Sequence, residues 1–212
     1  IDSFIAGQDE LALNAQAPGA TLLVVIRMLG NVPILLMVVI PLITMRLLSD
    51  EKRLRTRVLL LSSPVSMSAI VLGKYFAVIV FFSVSWLIIA LMAISLNLGT
   101  ALDLGHIATA LLAIGLFTMA LVAIGLYMSS LTSQSAIAAM ATFALVLLLW
   151  IVDSGVKLNG SDSVLSHLSM SHHYQTLLRG FLALESVAYF LLVAAVFLLL
   201  TVRQLHRERV YG

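Results

Sequence analysis

Five long runs of apolar residues, separated by short polar stretches, dominate the chain. A bilayer core about 30 Å thick needs about 20 helical residues per crossing, and each run approaches or exceeds that length. The runs are apolar on all sides and do not alternate strictly, which excludes surface helices and barrel strands. The pattern predicts an all-α integral membrane fold with transmembrane helices at residues 29–48, 70–96, 107–128, 136–152 and 187–202.

Lysine and arginine are distributed unevenly between the segments that separate the runs. Nine of the 12 lie within or next to the loop after the first run, or follow the last run. The other three lie before the first run or between the fourth and fifth runs. Because cytoplasmic loops carry the excess of positive charge, we expect an external segment at residues 1–28, a cytoplasmic loop at 49–66, an external loop at 153–186 and a cytoplasmic tail at 203–212. Together with the helices they form one transmembrane domain over the 212 residues.

An odd number of spans leaves the two ends of the chain on opposite sides of the membrane. The first 20 residues contain no signal-peptide pattern, and the chain does not begin with methionine. We therefore expect a sixth helix upstream, which would return both ends to the cytoplasm. A protein of five helices is the alternative.

Composition agrees with a membrane protein and excludes several classes of function. Apolar residues make up 61% of the chain and charged residues 10%, whereas roughly a quarter of the residues of a soluble protein are charged. The net charge of +2 gives no argument for nucleic acid as a partner. The chain has no cysteine, which excludes disulfides and thiolate metal sites.

The most highly charged stretch, "SDEKRLRTR", follows the first run. Ser49 is expected to cap a new helix with an acidic first turn. In that helix Glu51 would face Arg55, four residues later on the same side. Leu54 and Val58 begin an apolar stripe, so the helix would be amphipathic with a basic face and lie on the membrane surface. Two interpretations remain open: a topology signal that also binds anionic lipid headgroups, or a docking element for a soluble partner.

Three separated stretches of the chain carry a family resemblance. "PLITMRLLSDEKRLRT", "LLLSSPVSMSAIVLGKYFAV" and "AIGLYMSSLTSQSAIAAMATFALVLLLW" resemble the permease subunits of ABC-2 type exporters, in particular the gliding-motility-associated ABC permease group. The last part, "LLRGFLALESVAYFLLVAAVFLLLTVRQLHRER", is similar to that group's closing external helix and final span. The resemblance implies a half-transporter of six helices in the bacterial inner membrane, in which residues 50–61 form the coupling helix.

By this resemblance the charged stretch would meet an ATPase. The residues expected to form that interface are Arg46, Asp50, Glu51, Lys52, Arg53, Leu54, Arg55, Thr56, Arg57 and Val58. The implied partners are two ABC ATPase subunits and a second permease, as a homodimer or a heterodimer. An auxiliary membrane or periplasmic subunit is a further partner left open, membrane lipids surround the complex, and no nucleic acid is expected.

Nucleotide chemistry is not expected in this chain itself. A phosphate-binding Walker loop needs a glycine five residues before its Gly-Lys pair and a serine or threonine after it. At Gly73–Lys74 these positions hold Ser68 and Tyr75. We therefore expect no enzymatic activity and no bound cofactor, with ATP and Mg on the partner ATPase. Lys74 is expected to reach the lipid headgroups.

The external loop contains the only histidine cluster of the sequence, His167, His172 and His173. No carboxylate lies at helical spacing beside the adjacent pair, so we expect no metal site and a solvated or interfacial position. The following "HHYQTLLRGFLAL" predicts a short helix that dips into the outer leaflet. The resemblance implies an external gate here, and the residues proposed for the gate or a substrate path are Arg27, Asn31, Tyr174 and Arg179.

The leading functional hypothesis is a permease subunit that couples ATP hydrolysis on a separate ATPase to substrate movement. The alternative is a membrane scaffold that transports nothing and recruits a cytoplasmic ATPase to a motility or envelope machine. The two hypotheses share the ATPase interface and differ in whether a solute or lipid moves when ATP is added.

Overall fold

The computed structural model describes residues 29–54, 66–96, 104–159, 169–180 and 183–211. The helices of these ranges are α1 (Val32–Thr44), α2 (Arg46–Arg53), α3 (Met67–Leu96), α4 (Leu104–Leu131), α5 (Ser135–Asn159), α6 (Met170–Leu178) and α7 (Leu184–Tyr211). No strand occurs in the described ranges. The predicted all-α fold class is confirmed.

Four helical segments of the described chain are long and apolar enough to cross a membrane, by length and composition. They are Val32–Arg53, Met67–Leu91, Gly105–Leu131 and Leu184–Arg209, and a shorter apolar helix covers Ser135–Ile151. The last helix continues through most of the segment that we expected to be a separate tail. Arginine, glutamine, leucine and glutamate are good helix formers, and no glycine or proline interrupts them before Tyr211.

Helix α4 forms the centre of the bundle, and each of the other six helices named above contacts it. Most of its alanines and many of its larger apolar residues are buried together, including Ala113, Ile114, Phe117, Ala120 and Leu121. Small side chains let neighbouring helices approach closely, and the large side chains between them fill the remaining space. The core of the fold therefore lies along one helix, with the others arranged around it.

The outward sides of the peripheral helices are apolar. On α3 the exposed side chains include Phe76, Val80, Phe81 and Leu87, and on α5 they include Leu148. A continuous exposed surface of this kind would drive a water-soluble protein to aggregate, but it suits contact with lipid chains.

The start predicted for the charged helix is wrong. Ser49 does not cap a new helix but lies inside α2, which begins at Arg46 and is separated from α1 by Met45 alone. The Ser49 hydroxyl donates to the Met45 carbonyl one turn earlier, and the side chain is buried. Leucine and arginine continue the helix without a breaking residue, so the charges of residues 50–53 extend the first span. Residues 55–61 of the predicted helix lie outside the described part of the chain.

Candidate functional site

Polar contacts between five helices concentrate at one end of the bundle. We call this region the charged end and define it by Asp50, Glu51 and Lys52 of α2 together with their partners on other helices, Lys74, Ser129, Ser130, Ser135 and Glu208. It brings together α2, the beginnings of α3 and α5, and the ends of α4 and α7. This grouping agrees with helices that cross in alternating directions, as the spacing of the apolar runs predicts.

The joint between α1 and α2 at Met45 is held by a side chain of α4. Ser129 Oγ accepts hydrogen bonds from the backbone N–H groups of Leu48 and Ser49, each at 3.1 Å, and donates to the Met45 carbonyl at 2.8 Å. A hydroxyl has one donor and two acceptor positions, and all three are used here. A side chain inserted into the backbone ladder is a recognised cause of a helix break. The joint is therefore built into the contact with α4.

Helices α1 and α4 approach each other closely about one turn away from this joint. A Cβ atom at Gly125 of α4 would lie 2.8 Å from Thr44 Cβ and 3.2 Å from its Cγ2, and closest of all to its Oγ1. Thr44 is fully buried, and its hydroxyl donates to the Ile40 carbonyl at 2.9 Å, which fixes its orientation. Glycine at 125 thus permits the approach that brings Ser129 into the joint.

Lys52 connects α2 with two further helices. Its Nζ lies 2.7 Å from Glu208 Oε1 of α7 and donates to the Ser130 carbonyl of α4 at 2.8 Å. Gln204, one turn earlier on α7, donates to the same Glu208 oxygen at 3.1 Å. The Lys52 and Glu208 side chains are only 20% and 24% exposed, so solvent screens this pair less than a surface ion pair.

Two more contacts join α2 to the beginnings of α3 and α5. Lys74 Nζ lies 2.6 Å from Glu51 Oε1 and donates to the Leu47 carbonyl at 2.8 Å. The expectation that Lys74 reaches the headgroups is therefore wrong, because a carboxylate and a carbonyl of α2 lie within its reach. The Ser135 hydroxyl donates to Asp50 Oδ1 at 2.9 Å.

The remaining basic residues of α2 point outward. Arg46 and Arg53 are exposed, and neither makes a hydrogen bond or ion pair with any residue that the structure describes. Leu54, which follows α2, is 65% exposed. The other expected interface residues, Arg55, Thr56, Arg57 and Val58, lie outside the described ranges. The inward side of α2 is thus engaged within the bundle, while its outward side offers charge and an apolar side chain.

Helix α6 lies at the opposite end of the bundle. Its own N-cap and two side-chain contacts with other segments hold it in place. Ser169 caps its first turn, with the His172 N–H 3.4 Å from the Ser169 hydroxyl oxygen. The Tyr174 hydroxyl donates to the Leu29 carbonyl at 2.8 Å, and burial raises the pKa of Tyr174, which keeps this donor protonated. His173 Nδ1 lies 3.0 Å from the Ser186 hydroxyl. The predicted short helix is present, and its apolar side packs against α4, α5 and α7, while its depth in the outer leaflet stays a prediction.

The two described histidines of the cluster have different surroundings. His173 is buried and its ring stacks on Tyr189 with centroids 4.4 Å apart, whereas His172 is exposed. A solvated position is therefore wrong for His173, because the helical period that buries Met170, Tyr174 and Leu177 also turns residue 173 inward. His167 lies outside the described residues. Within the described chain, no group of three or more histidine or carboxylate side chains could hold a metal ion.

A pocket opens between α6, α5 and the start of α1. It has a volume of about 330 Å³, and the residues around it are Gly30, Asn31, Trp150, Tyr174, Gln175, Leu178 and Arg179. Asn31, Tyr174 and Arg179, three of the residues proposed for the external gate, thus share one pocket, and Arg27 lies outside the described chain.

The comparison with known families decides the broad assignment. A family model described as ABC-2 family transporter protein matches residues 5–210, which is nearly the whole chain. The chain belongs to the ABC-2 transporter family. No curated protein and no solved structure matches it.

Membership of the ABC-2 family has direct consequences for this chain. Permease domains of this family are membrane components and not ATPases, and they act with an ABC ATPase subunit. The apolar helices are accordingly those of a multi-pass membrane protein.

Sequence reasoning missed the partners of the ABC-2 chain's charged residues. Ser129 and Ser130 lie between the spans predicted at 107–128 and 136–152, and Glu208 lies in the predicted tail. One signal was present: the charge rule places these segments on the same side of the membrane as the charged stretch. A search for opposite charges within that one side would have paired Lys52 with Glu208 as a candidate.

Proposed function

We propose that this chain is the permease subunit of an ABC-2 exporter in a bacterial inner membrane. Two ABC ATPase subunits carry ATP and Mg, and a second permease, identical or different, completes the translocation path. An auxiliary membrane or periplasmic subunit would dock beside this core. The resemblance of the three sequence stretches supports the finer placement in the gliding-motility-associated group.

The observation that carries the proposal is the double role of α2. Its inward side is bonded to α3, α4, α5 and α7 through Glu51, Asp50 and Lys52. Its outward side presents Arg46 and Arg53, neither of which forms an ion pair with a described residue. A force applied to the outward side would therefore reach four other helices through bonded contacts.

The joint at Met45 gives α2 a place at which to move relative to α1. A helix interrupted by a hydroxyl in its backbone ladder bends more readily than a continuous one. Nucleotide-driven closure of the ATPase subunits would bias α2 between two arrangements, and the ion pairs would carry that bias to α3 and α7. The exposure of the translocation path would change with them.

Reversing both outward charges of α2 tests the interface. We expect Arg46→Glu combined with Arg53→Glu to weaken association with the ATPase subunit about tenfold. Each change would replace attraction by repulsion at an ATPase surface that is complementary to positive charge. The measurement is affinity by co-purification and by titration of ATPase stimulation, repeated at two salt concentrations.

The control for charge alone is Arg179→Glu, which changes the charge in the same direction at the opposite end of the bundle. Its ATPase affinity should stay within twofold of the parent chain. Unchanged association of the α2 double variant, or equal weakening by Arg179→Glu, would contradict docking at α2.

The scaffold hypothesis makes a different prediction for the assembled complex. Vesicles that contain both subunits should move a lipid or solute on addition of ATP if the chain is a permease. Intact ATP hydrolysis without movement of any tested lipid, amphiphile or peptide would favour the scaffold.

A further inference from the structure

The pocket between α1, α5 and α6 has the chemistry of an anion site. Arg179 borders it with an exposed guanidinium that forms no hydrogen bond or ion pair with any described residue. The amides of Asn31 and Gln175 also line it, and none of the described residues around it is acidic. Gln175 Nε2 donates to Ser171 Oγ at 3.1 Å, which leaves its second N–H for a ligand. A positive charge beside amide donors suits the oxygens of a phosphate or carboxylate.

The position of Arg179 is fixed by the turn that ends α6. Gly180 has φ +86°, and its N–H donates to the Leu177 carbonyl at 3.0 Å. A Cβ at Gly180 would lie 2.6 Å from Nδ1 and 2.8 Å from Nε2 of His106, so only glycine permits this turn against the imidazole ring. With Tyr174 bonded to the Leu29 carbonyl, both sides of the pocket are held before any ligand arrives, which lowers the entropy lost on binding.

Exposed apolar side chains lie close in sequence to residues that line the pocket. Ile34 and Leu35 of α1 are 59% and 65% exposed, and Ile151 of α5, next to Trp150, is 50% exposed. Tryptophan favours the boundary between headgroups and hydrocarbon, where one edge of its ring meets polar groups. A ligand with an anionic head and a hydrocarbon tail would place its head beside Arg179 and its tail along these side chains.

We propose that this pocket binds the oxyanionic head group, phosphate or carboxylate, of a lipid-like amphiphile. Arg179 is the principal contact, Asn31 and Gln175 donate from their amides, and Trp150 covers the junction of head and tail. The site lies at the opposite end of the bundle from the charged end. Its test therefore needs no ATPase, and failure of the test would leave the coupling proposal standing.

Fluorescence of Trp150 provides the measurement. The chain has 2 tryptophans, so Trp86→Phe leaves Trp150 as the only reporter. The purified full chain in a neutral maltoside detergent is titrated with octyl phosphate, with octyl glucoside as the uncharged amphiphile and with inorganic phosphate as the anion without a tail. We expect a saturable change with octyl phosphate, and at least tenfold weaker binding of the other two probes.

Variants assign the binding to the guanidinium. Arg179→Gln should weaken octyl phosphate binding about tenfold, Arg179→Lys less, and Arg53→Gln, which removes the same charge at the charged end, by less than twofold. Gly180→Ala keeps every lining side chain but disturbs the turn, and should weaken binding as Arg179→Gln does.

Two results would overturn the proposal. Equal binding of octyl glucoside, or an Arg179→Gln affinity within twofold of the parent, would exclude an anionic head group. Inorganic phosphate binding as tightly as octyl phosphate would exclude the amphiphile and identify a free-anion site instead.

Discussion

Gly125→Ala is expected to lower the free energy of unfolding by about 2–3 kcal/mol, a large effect for one methyl group, because inserted atoms in a packed core force backbone shifts. The new Cβ would meet three atoms of Thr44, and the Thr44 hydroxyl is bonded to the Ile40 carbonyl and cannot turn away freely. Helices α1 and α4 would have to separate, which would withdraw Ser129 from the joint. Thermal or denaturant unfolding in detergent measures the loss.

Gly115→Ala on the same helix is the matched control. A Cβ at Gly115 would have no atom within 4 Å. Since alanine favours a helix over glycine by about 1 kcal/mol, Gly115→Ala should be neutral or stabilising. Thr44→Ala should restore part of the stability lost in Gly125→Ala, because it removes Oγ1 and Cγ2 and leaves only Cβ in the way. Equal stability of the Gly125 and Gly115 variants would refute the close approach.

Lys52→Met is expected to uncouple α2 from α7. Methionine keeps most of the apolar stem of lysine but removes the ion pair with Glu208 and the bond to the Ser130 carbonyl. Both partners are largely shielded from solvent, so we expect a loss of about 1–3 kcal/mol in the free energy of unfolding. ATPase stimulation should fall further than that loss explains, because the link from α2 to α7 is gone.

A double-mutant cycle isolates this ion pair. Lys52→Met, Glu208→Gln and the combined variant should show a coupling energy of about 0.5–3 kcal/mol if the two side chains interact as the structure shows. Glu185→Gln, at the beginning of the same helix α7 and far from the charged end, provides a control that changes the charge equally. Additive effects of the two substitutions, with no coupling, would show that the contact is not maintained in solution.

The fold class could be predicted from the sequence because the apolar runs are long and continuous. A bilayer requires helices of that length, so the runs at 70–96 and 107–128 correspond closely to α3 and α4. The start of α2 could not be predicted in the same way. Serine is a residue type that favours helix N-caps. Whether Ser49 caps a helix depends, however, on its contact with Ser129, which lies 80 residues away in sequence.

The candidate sites were predictable only in part, for a related reason. Charge marked the stretch that contains Arg46 and Arg53, and the family resemblance assigned it to an ATPase interface. The same resemblance put Asn31, Tyr174 and Arg179 in one external gate. Their partners are long-range contacts that no local pattern contains: Lys74 with Glu51, and Gly180 with His106. Helix register and crossing distance determine those contacts, and a single sequence does not specify either.

Cross-linking from single cysteines tests the central claim most directly, that α2 is the ATPase docking element. The chain contains no cysteine, so Arg53→Cys and Leu54→Cys each introduce one unique attachment point for a photoactivatable cross-linker, and Arg179→Cys provides the control at the opposite end. In assembled complexes we predict adducts with the ATPase subunit from positions 53 and 54, stronger in one nucleotide state than in the other, and none from position 179. Adducts from position 179 alone, or from none of the three in an intact complex, would contradict the account.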